Sequence, residues 1–253
     1  MRPAELPNQH VISSRVTATP STHQSAHVDY WGTAVTAFEV LTAHEALVVL
    51  AESRVDVTPP AAVGGVDWDV LRSPEVTDRM CEYLVPTSVT EPAADLAELA
   101  ADVRGDLPPS EAAEMILGAV REEMEYVPGV TGVHTKAMEA WQARSGVCQD
   151  IAHLGVGALR AVGIPTRYVS GYLHPLTSQA EPGVPVTGES HAWVEYWAGE
   201  WIGFDPTNRI PVSDHHVIVA RGREYGDVSP LRGVYSGGGK SSQTVEVRIT
   251  REA

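Results

Sequence analysis

From residue 93 to its end the chain spells helices first and strands afterwards, with little alternation between them. A doubly wound parallel sheet needs strand and helix in turn, so this order points to an α+β domain, helices packed on an antiparallel sheet. The helical part uses Ala, Glu, Leu and Met: "AADLAELAADVRG", "SEAAEMILGAVREEMEYV" and "TKAMEAWQARSG" each end in Gly or run into Pro. Strand patterning returns over 166–250 in "TRYVSGYL", "HAWVEYW", "EWIGFDP" and "QTVEVRITR".

Upstream, residues 1–58 read as a small β-rich unit, with alternating polarity in "HVISSRVTATP", "AVTAFEVL" and "ALVVLAESRVDV". Residues 59–92 contain five prolines and read as a connection with one helical turn, leaving 93–253 as the larger domain. A length of 253 residues, 43% hydrophobic and 20% charged, suits a soluble globular protein of this two-part plan.

Acidic residues outnumber basic ones 33 to 18, a formal net charge of −15, which argues against nucleic acid or an anionic membrane as partner. The longest apolar run, residues 46–51, is too short to cross a bilayer, and residues 1–28 lack the basic start and apolar centre of a signal peptide. The expected location is the cytoplasm. Two cysteines, Cys81 and Cys148, fit that reducing compartment and offer neither a disulfide framework nor a metal-binding pair.

Cys148 opens the segment "CQDIAHLGVGALRAVGIP", in which Ile151, Leu154, Gly155, Ala158, Leu159 and Val162 recur at steps of three and four before Gly163 and Pro165 stop the helix. The cysteine therefore sits in a first turn, where unpaired backbone N–H groups and the positive end of the helix dipole favour a thiolate. A lone small residue there is packing material unless a base accompanies it. Cys81, in "DRMCEYL", has no such setting.

The base comes from "HAWVEYWAGEWIGFDP", two strands about a turn. An odd-numbered loop centred on position 198 places His191 opposite Asp205, near enough for a carboxylate to hold an imidazole N–H, and gives the other face the apolar set Ala192, Val194, Tyr196, Ile202 and Phe204. A two-residue loop would put His191 and Asp205 on opposite faces. Cysteine, histidine and aspartate together suit acyl transfer through a thiolate, with the backbone N–H of Cys148 and a side chain from Gln142 or Trp141 as oxyanion donors. Trp193, Trp197 and Trp201 share the face of His191, where they either wall a substrate groove or pack beneath a cover.

The blocks "GVCQDIAHLGVGALRAVGIPTRYVSGYL", "SHAWVEYW" and "WIGFDPTN" together resemble the bacterial transglutaminase-like superfamily, strongest over 110–212, with "GREYGDVSPLRGVY" similar to its C-terminal segment. The resemblance implies a papain-like core with Cys148 as nucleophile, His191 as acid and base and Asp205 as orienting carboxylate. It further implies no cofactor and a protein or peptide substrate, whose acyl group passes to an amine or, in hydrolytic relatives, to water. Some relatives have lost catalysis, so a silent binding module of the same fold is the rival of another class. Residues 9–57 resemble the β-rich N-terminal domain of bacterial members, which usually carries further strands before this point, so the chain is expected to begin partway into that domain. No clustered carboxylates suggest a calcium loop, and no metal is expected.

Other signals carry less. "SGGGKSS" at 236–242 lacks the spacing of a phosphate loop and reads as a turn before a strand. "HEALV" lacks the second histidine of a zinc protease helix. His153 is turned away from Cys148 and is expected to be a hydrogen-bonded structural histidine, while His215 and His216 are expected on the surface.

Overall fold

The structure, a computed structural model, describes residues 1–60, 64–175, 181–238 and 242–252. Within the glycine-rich stretch, Gly239, Lys240 and Ser241 lie outside the described residues. Among the described residues no helix is long and apolar enough to cross a membrane.

The chain opens with strands β1 (Gln9–Thr19), β2 (His23–Val28), β3 (Ala34–Glu39) and β4 (Val48–Val57). Long antiparallel ribbons result, β1 with β4 and β2 with β3. Most of their side chains face solvent, Val16 and Ala18 of β1 being buried.

Residues 59–92 differ from the expected connection. They form three short helices, α1 (Trp68–Leu71), α2 (Pro74–Arg79) and α3 (Cys81–Leu84). Ser73 caps α2 by accepting the Val76 N–H at 3.4 Å, with Pro74 at the first helical position. Leu71, Val76 and Met80 reach the main core, so burial holds in place a segment whose prolines suggested a tether.

Helices α4 (Ala94–Arg104) and α5 (Pro109–Glu122) follow, then the two-residue strand β5 (Glu125–Tyr126), α6 (Ala137–Ala143), β6 (Ser145–Gly146) and α7 (Cys148–Ala161). Ala113, Ile116, Leu117 and Val120 give α5 one buried stripe at helical spacing. Helix α7 was expected to bury a single stripe, but it is buried on nearly every side from Asp150 to Arg160. Its polar residues find partners inside: Arg160 donates to the carbonyls of Val85, Thr166 and Arg223, and His153 Nε2 accepts the Tyr225 N–H at 3.1 Å. Burial, then the neighbouring Arg160 charge, push the His153 pKa down to about 3, so that ring is neutral.

The sheet is built from β7 (Thr166–Leu173), β8 (Val186–Trp197), β9 (Trp201–Asp205), β10 (Ile210–Pro211) and β11 (His216–Gly222), in the order β10-β9-β8-β7-β11 and antiparallel throughout. A 3-10 turn at Tyr225–Asp227 follows, and β12 (Val247–Ile249) pairs with the first residues of β8. Ala192, Val194, Tyr196 and Phe204 point to the helices, in the same core as Ile151 and Leu154 of α7. The other face carries a smaller core of Val169, Trp193, Val212 and Ile218, closed by Ala4 and Leu6. Gln9 fastens this closure, its side chain bonding the Ile218 N–H and carbonyl at 2.8 Å each. The beginning of the chain is thus a layer on the sheet as well as the root of a β ribbon.

Candidate active site

Cys148 is the first residue of α7, after an extended Val147. The Asp150 carboxylate fixes this helix start, one oxygen accepting the Val147 N–H at 2.8 Å and the Thr131 hydroxyl at 2.6 Å. Cys148 is half-buried and lines a cleft of about 390 Å3, together with His191.

His191 lies on β8 opposite Gly171 of β7, and Asp205 is the last residue of β9. His191 Nε2 stands 2.7 Å from Asp205 Oδ2. The hairpin has the expected three-residue loop, Ala198 to Glu200, with Gly199 at φ 100, but its register is shifted: Trp197 opposes Trp201 and Val194 opposes Phe204. The centre is therefore Gly199, which sets Asp205 across from Trp193 and diagonal to His191. Parity is preserved, so both side chains still share a face.

Burial of the His191 ring lowers its pKa, but the hydrogen bond to Asp205 and then the hydrogen bond and charge interaction with Cys148 outweigh it, raising the value to about 9. Burial likewise acts to raise the Asp205 pKa. The hydrogen bonds from His191 and His216, the His191 charge and the Asn208 amide instead hold that carboxyl well below the usual carboxylate range. A protonated ring next to the sulfur, backed by a buried carboxylate, is the counter-charge a thiolate nucleophile needs.

Other sequence-predicted residues stand elsewhere. Trp193 is fully buried in the small core and does not line the cleft. Its ring lies beneath two histidines, 6.0 Å from His191 and 5.2 Å from His216. Trp201 packs edge-on against Tyr83 at 5.1 Å, with the Arg167 guanidinium 4.0 Å from its ring, also away from the cleft. Neither wall of a groove is built from these tryptophans: Trp193 is closed in by Val212 and Leu6 in the small core, and Trp201 packs against the main core beside Tyr83 of α3. The proposed oxyanion donors are displaced as well: Trp141 is buried with its Nε1–H on Asp95 at 2.9 Å, and Gln142 is exposed outside the cleft. The cleft is lined instead by Tyr126, Val133, Gln149, Pro230, Val245 and Val247.

Two contacts of Asp205 escaped sequence reasoning. Asn208 gives its side-chain N–H to Oδ2 at 2.7 Å and its backbone N–H to Oδ1 at 3.2 Å. His216, expected on the surface, is 1% exposed and places Nε2 3.3 Å from Oδ2. No alternation marks it, since Val217, Ile218, Val219 and Ala220 form one apolar run; His216 is carried inward by the pairing of β11 with β7. Among the described residues no group of three His, Cys, Asp or Glu side chains is placed to hold a metal ion.

Residues 97–206 match the transglutaminase-like superfamily, and residues 1–56 match the bacterial transglutaminase-like N-terminal region. An uncharacterised protein of Mycobacterium leprae is 40% identical over all of this chain and 91% of its own length. A protein-glutamine gamma-glutamyltransferase of Pseudomonas aeruginosa is 37% identical over 33% of this chain and 13% of its own. The crystal structure of a candidate cysteine protease from Cytophaga hutchinsonii covers 100% of this chain and 84% of its own, with a TM-score of 0.73 at 24% identity, and shows a shared fold.

Proposed function

Because the chain belongs to the transglutaminase-like superfamily, we propose that it is a cysteine enzyme acting on a glutaminyl or other amide carbonyl of a protein or peptide. Cys148 Sγ attacks the carbonyl carbon, and His191 delivers its proton to the departing amine or ammonia, leaving a thioester on Cys148. An amine or water then adds, His191 takes the proton of that acceptor, and the thiolate leaves. Asp205 holds His191 through Nε2, which keeps the other ring nitrogen for the sulfur and the acceptor. The backbone N–H of Cys148, at the first helical position, has no acceptor within its helix and suits the oxyanion. Val133, Val147 and Val245 in the lining of the cleft fit an uncharged amide side chain better than a charged one.

The observation that carries this reading is that His191, held by Asp205 at 2.7 Å, lines the same cleft as a helix-starting cysteine. Its test is the rate of iodoacetamide alkylation of Cys148 against pH, located by peptide mass, in the native protein and in His191→Ala. Cys148 is expected to outpace Cys81 below pH 8 and to lose that lead without His191. Equal rates for the two thiols, unchanged in His191→Ala, would turn the reading toward a binding module. With reactivity established, glutaminyl peptides offered with and without a primary amine separate a cross-linked amide from a free acid.

A further inference from the structure

We infer that His216 is a positioning residue of the candidate triad, a second imidazole that donates to the same Asp205 oxygen that His191 uses. The inference rests on the reading of Cys148, His191 and Asp205 above.

Its geometry begins with the tautomer. The Ser213 backbone N–H reaches His216 Nδ1 at 3.2 Å, with the Ser213 hydroxyl 3.5 Å away. A backbone N–H only donates, so Nδ1 is an acceptor and the ring proton of the neutral imidazole resides on Nε2, aimed at Asp205 Oδ2 at 3.3 Å. A turn closed by the His216 N–H on the Ser213 carbonyl at 3.1 Å supports this arrangement from the main chain. Both side chains are buried, His216 at 1% exposure and Asp205 at 0%, so water does not compete for the bond.

The consequence lies in the carboxylate's rotation. With His191 as sole partner, Asp205 could turn about its last side-chain bond and carry either oxygen to the ring. Here Oδ2 gathers His191 Nε2 at 2.7 Å, Asn208 Nδ2 at 2.7 Å and His216 Nε2 at 3.3 Å, while Oδ1 takes the Asn208 N–H at 3.2 Å. The donors from Asn208 and His216 come from opposite ends of the 208–216 segment, so they fix the plane of the carboxylate and with it the direction of the His191 ring. Trp193 lies against both imidazoles and keeps their centroids 6.4 Å apart, so His216 reaches Asp205 without displacing His191.

The test combines a spectrum with a rescue. In full-length protein labelled at histidine nitrogens, His216 is expected as the Nε2-protonated tautomer; an Nδ1-protonated ring overturns the inference. His216→Leu is expected to slow Cys148 alkylation at pH 7 about tenfold, the loss of one charge-assisted hydrogen bond. His216→Gln, whose amide N–H replaces Nε2–H at similar reach, is expected to stay within about threefold of wild type. A Leu variant as fast as wild type overturns the role, as does a Gln variant as slow as Leu, which would mean that the ring only fills space. Where the Leu variant does not fold, the Gln variant and the tautomer decide. A His191→Ala rate equal to wild type would strike the Cys148–His191 reading instead, with the tautomer of His216 still testing its bond to Asp205.

Discussion

Asp205 reaches His191 along a diagonal of the sheet, its Oδ2 2.7 Å from Nε2 although its cross-strand position belongs to Trp193. A diagonal pair is longer than a direct one, and an aspartate has only a short side chain with which to span it. The span works because Asp205 ends β9 and is then braced from the following turn by Asn208, whose two N–H groups donate to both carboxylate oxygens.

That bond sets the charge of His191. Its pKa of about 9 reflects Asp205 and Cys148 acting against burial. In Asp205→Asn the burial remains and the largest raising influence is gone, so the His191 midpoint, followed by NMR of its ring protons, is expected to fall by more than about one unit. A midpoint still near 9 would show that the carboxylate does not govern the ring.

Stability should follow pH with a recognisable window. Asp205 has its pKa lowered from 3.8, so its contribution is complete above that value and fades as acid protonates it. His191 has its pKa raised from 6.5 to about 9, so its contribution is complete below 6.5 and fades as pH rises through 9. The stability advantage of wild type over Asp205→Asn, measured by urea unfolding, is therefore expected to be greatest between pH 3.8 and 6.5 and to shrink on either side. An advantage that grows steadily from pH 5 to 9 would contradict the assignment.

Much of this site was legible because it depends on short-range periodicity. The step of three and four after Cys148 marks a helix start, and the alternation in "HAWVEYW" and "WIGFD" fixes which side chains share a face even when the loop centre moves by one residue. What escaped depends on contacts far apart in sequence. His216 meets Asp205 only because β11 pairs with β7, a partner that no local pattern names. Trp193 is buried rather than groove-lining because residues 4–9 cover the back of the sheet, and the burial of the 59–92 helices depends likewise on a core formed by distant segments. The oxyanion candidates failed for a related reason: Trp141 was a plausible neighbour in sequence, but its N–H is taken by Asp95 of α4.

The packing of α7 gives a prediction in which intrinsic preference and tertiary context disagree. Alanine is favoured over glycine in a helix by about 1 kcal/mol. A Cβ at Gly157 would collide with the backbone carbonyl of Thr90, which cannot swing aside as a side chain could, whereas one at Gly118 of α5 meets nothing within 4 Å. Gly157→Ala is expected to destabilise by about 1–3 kcal/mol and Gly118→Ala to stabilise by up to about 1 kcal/mol, read from urea midpoints. Stabilisation by both would mean that the 87–92 segment does not lie on α7 as described.

Trp193 and Trp201, which the sequence offers either as groove walls or as packing, separate in the same kind of measurement. Trp193 is fully buried against Val169, Val212 and Ile218 and lies under both imidazoles, so Trp193→Ala opens a large cavity and is expected to cost about 3–5 kcal/mol. Its Nε1–H is buried without a hydrogen-bond partner among the described residues, a penalty that Trp193→Phe removes, so the phenylalanine variant should lose much less than its smaller area implies. Trp201 is partly exposed and leans on Tyr83 and Arg167, so Trp201→Ala should cost less than Trp193→Ala. A groove residue behaves in the opposite way, since its loss leaves the unfolding midpoint in place and weakens only substrate binding. If Trp193→Ala proves as stable as wild type, the ring is not the floor of the histidine pair, and the covering layer of residues 4–9 must open in solution to expose it.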